Sequence, residues 1–412
     1  MRLKKIILIS CLLSMALMGN GQEAGKTEGL PVWGIRFGGF VKSDYWYDSR
    51  RVVAAREDLF LLFPASQYTD RQGNDINAQP GFNYSAITSR ITGIIYGADA
   101  FGARTSGLIE ADFSGVTNAD INGFRLRHAF GKLRWEKSEL LFGQFWHPMF
   151  VTEVFPNVIS LNTGAPFQPF IRNPQIAFTR FMGKHSLQLT LLSQRDNASD
   201  GPQGPKPDYL KNALWPNVHL QWQLNAGHYT LGAAADFKNL KPKLITDSLF
   251  ITNETLNSWA FMAYAKYSVD NWALRVKTIY GQNLTEHLML GGYAVRQTEP
   301  ERGFEKYTPT NHLFVWSNIT WGKKVQPGIF IGYAKNFGTS HQNNGTYYSR
   351  GHNIAYLYRV APSVSFISNK IQISTELEYT SAAYGQPDNF GKVINNSETA
   401  NLRALLTFFY FF

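Results

Sequence analysis

The chain has 412 residues, with 40 Lys and Arg against 30 Asp and Glu, 44% hydrophobic residues and 15% aromatic ones. After residue 22 there is no unbroken apolar run of about 18 residues, which excludes a membrane-spanning helix. The single cysteine, Cys11, falls in the first 22 residues, so a chain trimmed there has no disulfide and no thiolate for catalysis or metal binding. The formal charge is +10, or +7 once the three cations Arg2, Lys4 and Lys5 are removed. In a cytoplasmic protein that excess would suggest nucleic acid; on an exported chain it belongs to a water-filled wall or faces anionic lipid headgroups, and no nucleic-acid partner is expected.

In chain order, Arg2, Lys4 and Lys5 precede the apolar stretch Ile6 to Met18, and small or polar residues follow at Gly19 to Gln22. That is the layout of a cleaved export signal over 1–22, and Ile6 to Met18 is too short to span a bilayer. A short periplasmic segment, 23–32, then leads into a single domain, 33–412.

A period-two alternation of apolar and polar residues predicts sixteen strands: 33–48, 82–97, 102–115, 121–135, 138–147, 174–183, 185–195, 214–225, 227–240, 256–268, 271–283, 310–322, 325–337, 351–366, 369–381 and 399–412. Alternate gaps are tight turns, such as Glu136-Lys137 and Lys323-Lys324. The gaps between them are mostly long: 49–81, 148–173, 196–213, 241–255, 284–309, 338–350 and 382–398, with a short one at Gly115 to Asp120. Short turns at one rim, long loops at the other and an even strand count describe an all-β, transmembrane antiparallel β-barrel with both termini in the periplasm of a Gram-negative bacterium. No internal repeat supports a soluble propeller.

The alternation also separates a lipid-facing row from a lumenal one. Ile35, Phe37, Val41 and Tyr45 face lipid while Arg36, Lys42 and Asp44 face inward, and Arg275, Lys277 and Arg359 share the inward parity of their strands. Charges facing lipid at mid-depth would cost about 2–4 kcal/mol each, so this parity is dictated by the solvent on either side. Trp135, Trp272, Trp321 and Phe412 lie near the short turns as an interfacial girdle. The third long loop, 148–173, is apolar and proline-rich, unlike a loop bathed in water. Either it folds into the lumen, presenting Glu153, Asn157, Asn162 and Arg172 to passing solute, or its aromatics pack on neighbouring loops or at a subunit contact; the inward fold is the expectation.

Three stretches in this region, Arg125-Leu126-Arg127-His128-Ala129-Phe130-Gly131, Leu141-Phe142-Gly143-Gln144-Phe145-Trp146 and Phe170-Ile171-Arg172-Asn173-Pro174-Gln175-Ile176, resemble the DcaP-type outer-membrane porins. The resemblance is specific over about 60 of the chain's residues and general elsewhere. It implies a trimeric, sixteen-stranded channel with its third loop in the pore and a preference for small anionic solutes, with Arg125, Arg127 and Arg172 lining the pore. The long periplasmic coiled coil of some relatives has no counterpart here.

The chain ends in Phe408-Phe409-Tyr410-Phe411-Phe412, whose lipid-side row, Phe412, Tyr410 and Phe408, resembles the signal by which outer-membrane barrels are handed to the barrel-assembly machinery. Catalysis finds little support. His128 shares parity with Leu126 and Phe130, which reads as a girdle or turn position, and no Ser-His-Asp or His-Glu-x-x-His spacing occurs. The carboxylate pairs Glu110/Asp112 and Glu376/Glu378 read as counter-charges to lumenal arginines. No cofactor or metal is expected. The sequence therefore points to a passive pore, with two alternatives open: a surface-binding barrel using Tyr209, Trp215, Tyr347 and Tyr348, and a barrel hydrolase.

Overall fold

The computed structural model describes residues 33–412; the expected export signal over 1–22 and the expected periplasmic segment 23–32 lie outside the described residues. Sixteen antiparallel strands close into one barrel. They are β1 (Gly34–Asp48), β2 (in two pieces, Gly81–Ser85 and Arg90–Tyr96), β3 (Arg104–Asp112), β4 (Arg125–Arg134), β5 (Ser138–Trp146), β6 (Arg172–Met182), β7 (His185–Leu192) and β8 (Asn217–Ala226). There follow β9 (Tyr229–Leu240), β10 (Leu256–Val269), β11 (Trp272–Gln282), β12 (Glu305–Trp321), β13 (Val325–Thr339), β14 (Ile354–Ser368), β15 (Ile371–Pro387) and β16 (Val393–Phe411). Each answers one of the expected strands.

Closure is made by β1 against β16, in a register running from Phe40↔Phe411 to Asp48↔Arg403. The outer row of β16, Leu402, Leu406, Phe408, Tyr410 and Phe412, is exposed, whereas Asn401, Arg403 and Thr407 are buried inside. Trp272 and Trp321 stack side by side at a ring distance of 5.6 Å on the outer surface beside the short turns, where an aromatic girdle is expected.

The structure departs from the sequence reading in four places. The expected long loop 382–398 is mostly strand, because β15 and β16 continue as a hairpin beyond the barrel and leave only 388–392 to turn. The loop after β1 contains a two-stranded hairpin, Val52–Ala55 with Phe60–Pro64. Strands Gly291–Thr298 and Tyr347–Arg350 pair above the barrel. Finally, β4 has a bulge: Glu110 pairs with His128 and Ala111 with Leu126, so Arg127 is the extra residue. A bulge shifts parity by one, and His128 is consequently inward and buried against Phe145 and Trp146 rather than in a girdle.

Candidate functional site

The lumen is the candidate site, and its wall begins with charge. The bulge in β4 lets Arg125 and Arg127 both reach the carboxylates of β3. Arg127 donates to Glu110 at 2.7 Å and to Asp112 at 2.8 Å, and Arg125 grips Asp112 with two bonds of 2.7 and 3.1 Å. Arg90 joins Glu110 at 3.6 Å, and Asp196 from the loop after β7 bridges Arg125 at 3.8 Å and Arg172 at 2.5 Å. Burial alone would raise the Asp196 carboxyl, but the surrounding Arg172, Arg125 and Arg127 guanidiniums hold it below the usual carboxylate range. Arg172 also lies over the Trp146 ring at 4.9 Å. Four guanidiniums against three carboxylates leave this ladder with an excess of one positive charge.

Facing the ladder, the third loop, 147–171, crosses the lumen and docks on β11 to β15. His147 caps the short 3-10 turn Pro148–Phe150 by accepting the N–H of Met149, and Phe150 stacks on Trp146 at 3.9 Å. On the far wall, Lys277 donates to the carbonyls of Met149 and Phe150 and to Gln168 at 3.0, 2.8 and 3.0 Å. Arg359 donates to Ala165 O at 2.9 Å, and Glu376 accepts the backbone N–H groups of Ile159 and Ser160 at 2.9 and 3.1 Å. Glu378 accepts from Asn162 at 2.9 Å and pairs with Arg359 at 3.4 Å. Phe167 lies so close to Gly332 that a Cβ there would be 2.5 Å from the ring, so this wall position requires glycine. The phenylalanines of the loop thus find an apolar seat inside the barrel.

A second segment enters as well. The hairpin strand Phe60–Pro64 is buried throughout, held by Arg403 on the carbonyls of Asp58 and Leu59, by Arg359 on Leu62 O and by Tyr384 on Pro64 O. It meets the third loop where Phe60 packs on Phe170 at 4.9 Å. Arg403 is itself fixed by Asp48 at 2.7 Å. Together the two segments cover the β11 to β16 side of the lumen.

The expected pore residues therefore occupy five different settings. Arg36 is exposed at the short-turn rim, and Lys42 is paired with Asp44 at 3.1 Å. Arg125, Arg127 and Arg172 form the ladder. Lys277 and Arg359 are sealed beneath the third loop as its anchors. Glu153 and Arg275 stand at the partly open part of the lumen. Arg275 lies directly across from Lys266 in register and donates to Asn318 and Thr320 at 3.2 Å each. Glu153 accepts from Gln223 at 2.5 Å, and burial on its loop raises its carboxyl above the ordinary value.

Sequence reasoning passed over Arg90, Lys132, Arg134 and Glu139. Lys132 and Arg134 share Glu139 at 3.3 and 3.8 Å and remain partly open to water. Once the bulge is counted their parity is legible; before it is counted they fall on the lipid side. For the surface-binding alternative, Trp215 is exposed, but Tyr209 is buried with its hydroxyl bonded to Gly204 O and the N–H of Gln203.

The fold is similar to that of the outer membrane channel DcaP of Acinetobacter baumannii, over 96% of this chain and 99% of that one, with a TM-score of 0.67 and 16% identity. OmpT, an outer membrane protein of Vibrio cholerae, matches over 94% of this chain and all of its own, with a TM-score of 0.56 and 9% identity. An anion-selective porin from Comamonas acidovorans matches over 92% of this chain and all of its own, with a TM-score of 0.53 and 9% identity. No protein-family profile and no curated sequence matches the chain. At these identities the likeness carries the architecture alone: a closed sixteen-stranded antiparallel barrel with the fold of these channels.

Proposed function

We propose that this barrel is a narrow, passive outer-membrane channel for small hydrophilic solutes, preferring anions, and that it works without a catalytic centre. One observation carries the preference. Lys132, Arg134, Lys266 and Arg275 are partly open to water on the inward parity of their strands, and Glu139 and Glu153 are the partly open carboxylates beside them, four cations to two carboxylates. A positive constriction concentrates anions and repels cations. Arg36 and the one excess charge of the ladder formed by Arg125, Arg127 and Arg172 extend the positive lean along the wall, Lys42 being offset by Asp44, while Lys277 and Arg359 serve it by holding the third loop in place. The carboxylate pairs that could suggest acid-base work are engaged: Glu110 and Asp112 with arginines, Glu376 and Glu378 with the third loop.

The same reading includes export by the N-terminal signal, insertion guided by Phe408, Tyr410 and Phe412, and assembly as a homotrimer in outer-membrane lipid. For the trimer, the outer surface of β2 to β4 is flat at Gly93, Gly107 and Gly131, where neighbouring Ile35, Ile95 and Phe142 cover the backbone. A surface-binding role is a second reading, supported by a cavity of about 580 Å³ between the loops after β13 and β15, lined by Gln342, Asn343, Asn353, Gln386 and a Tyr347–His352 ring pair 4.9 Å apart.

Planar-bilayer conductance in a salt gradient tests both. The expected result is an open pore whose reversal potential shows anion preference, weaker at high salt where the Debye length falls and reduced in the Lys266→Gln/Arg275→Gln double variant. A cation-selective pore would overturn the anion preference, and a sealed barrel would favour the surface-binding reading.

A further inference from the structure

Behind the root of the third loop, four buried side chains converge whose chemistry a diffusion channel does not use. His147 opens the loop, His219 stands on β8, Asp236 faces it on β9, and His287 sits in the turn Thr285–His287 of the loop after β11. Asp236 Oδ2 lies 3.0 Å from His219 Nδ1 and 3.5 Å from His147 Nε2, and the His287 ring is 4.6 Å from the His147 ring. One ligating atom each of His147, His219 and Asp236 fall within 4.8 Å of one another. His219 Nε2 and both ring nitrogens of His287 have no hydrogen-bond partner although both residues are fully buried.

We propose that His147, His219 and Asp236, joined by His287, form a site for one transition-metal cation, zinc before others, which clips the root of the third loop to β8, β9 and the loop after β11. Imidazole and carboxylate ligands suit borderline cations, and zinc takes such nitrogen and oxygen sets in four-coordinate geometry. Bonds of about 2.0–2.1 Å place tetrahedral ligand atoms about 3.3 Å apart, and the two measured separations from Asp236 bracket that value. Asn217 Nδ2 donates to Asp236 Oδ1 at 2.9 Å, which orients the carboxylate and leaves Oδ2 for the cation. The nearby Lys238 ammonium is neutralised by Glu286. Hydrogen bonding alone explains the His219–Asp236 and His147–Asn217 contacts but leaves both ring nitrogens of His287 without a hydrogen bond, the nearest carboxylate oxygen being Glu286 Oε1 at 3.6 Å, in an interior where polar atoms are ordinarily satisfied.

Ligation has a structural consequence. His147 Nδ1 accepts the Met149 N–H, so the ring proton sits on Nε2. A cation taking Nε2 moves that proton to Nδ1, and Met149 N–H loses its acceptor. Metal binding and the first turn of the third loop are therefore linked.

The test uses the full-length protein, both extracted folded from outer membranes and refolded from denaturant with Zn2+ or Co2+, with metal content and the visible cobalt d–d absorption as readouts. The expected result is about one equivalent per chain and the spectrum of four-coordinate cobalt. His219→Gln and Asp236→Asn are expected to weaken binding at least about ten-fold while the barrel still shows the gel shift of folded protein. His228→Gln, on the turn after β8, is expected to leave binding unchanged. Folded parent protein without stoichiometric metal, or unaltered binding in folded His219→Gln, overturns the site. Should Asp236→Asn not fold, His287→Gln and His219→Gln carry the test.

Discussion

Lys277 shows how far one side chain's role depends on what covers it. Its alternation partners, Trp272, Leu274 and Val276, place it in the lumen, where a lysine is expected to be solvated. Instead it is fully buried, and its ammonium spends its three donors on Met149 O, Phe150 O and Gln168 Oε1. Removing one partner of a buried hydrogen bond leaves the other unsatisfied, at about 1–3 kcal/mol. Lys277→Met is therefore expected to lower stability by that order, read as an earlier heat-induced shift on gels, and to add open-channel noise as the loop loosens. A variant as stable and as quiet as the parent would show that the loop's oxygens find other donors.

Glu153 is the residue-scale counterpart on the open side. Its carboxyl is raised by burial, so it takes up a proton at a higher pH than a freely solvated glutamate. Protonation removes a negative charge from beside Lys266. Anion preference is therefore expected to increase as pH falls through the mildly acidic range, measured by reversal potential at fixed low salt, and Glu153→Gln is expected to remove that pH dependence. A pH response that survives Glu153→Gln would assign it to another group.

At the scale of elements, the lumen is shaped by two insertions rather than one. The third loop carries Phe150, Phe155, Phe167 and Phe170 onto the wall and onto Trp146, and the hairpin of the first loop fills the adjoining sector. Shortening the third loop between Val154 and Pro166 removes the Glu376, Glu378 and Arg359 contacts together. Conductance is expected to rise and solute discrimination to fall, but less than in a barrel constricted by one loop, because Phe60–Pro64 still occupies its sector. Unchanged conductance in a folded, shortened barrel would mean that solute passes on the other side of the first-loop hairpin.

At the scale of the whole molecule, the barrel exists only when β16 finds β1, residues that are more than 350 positions apart in a chain of 412. The terminal strand supplies both the seam and an apolar cluster within it: Phe40 packs on Phe409 and Phe411 at 5.5 and 5.9 Å, and Gly39 exchanges backbone hydrogen bonds with Phe412. Deleting Phe411 and Phe412 is expected to reduce membrane-inserted, heat-modifiable protein far more than deleting two residues from the exposed tip 341–344. Equal yields from both would show that the end of β16 is dispensable for assembly.

The sixteen strands, the lipid-facing row and the lumenal parity were legible in the sequence because each is a local consequence of a period of two between lipid and water. The exposed Tyr379 and the buried Glu378 next to it need no distant contact to be told apart. Three things were decided only in three dimensions. The bulge at Arg127 reverses the side of His128 and brings Lys132 and Arg134 inside, and a single extra residue leaves no trace in a short alternating pattern. The burial of Lys277, Arg359 and Arg403 depends on loop segments more than 100 residues away that settle on them. The convergence of His147, His219, Asp236 and His287 joins two strands and two loops whose spacing matches no ligand motif. Alternation tells each side chain which solvent it meets, and only closure of the barrel decides which of those inward groups keeps water and which is sealed beneath a loop.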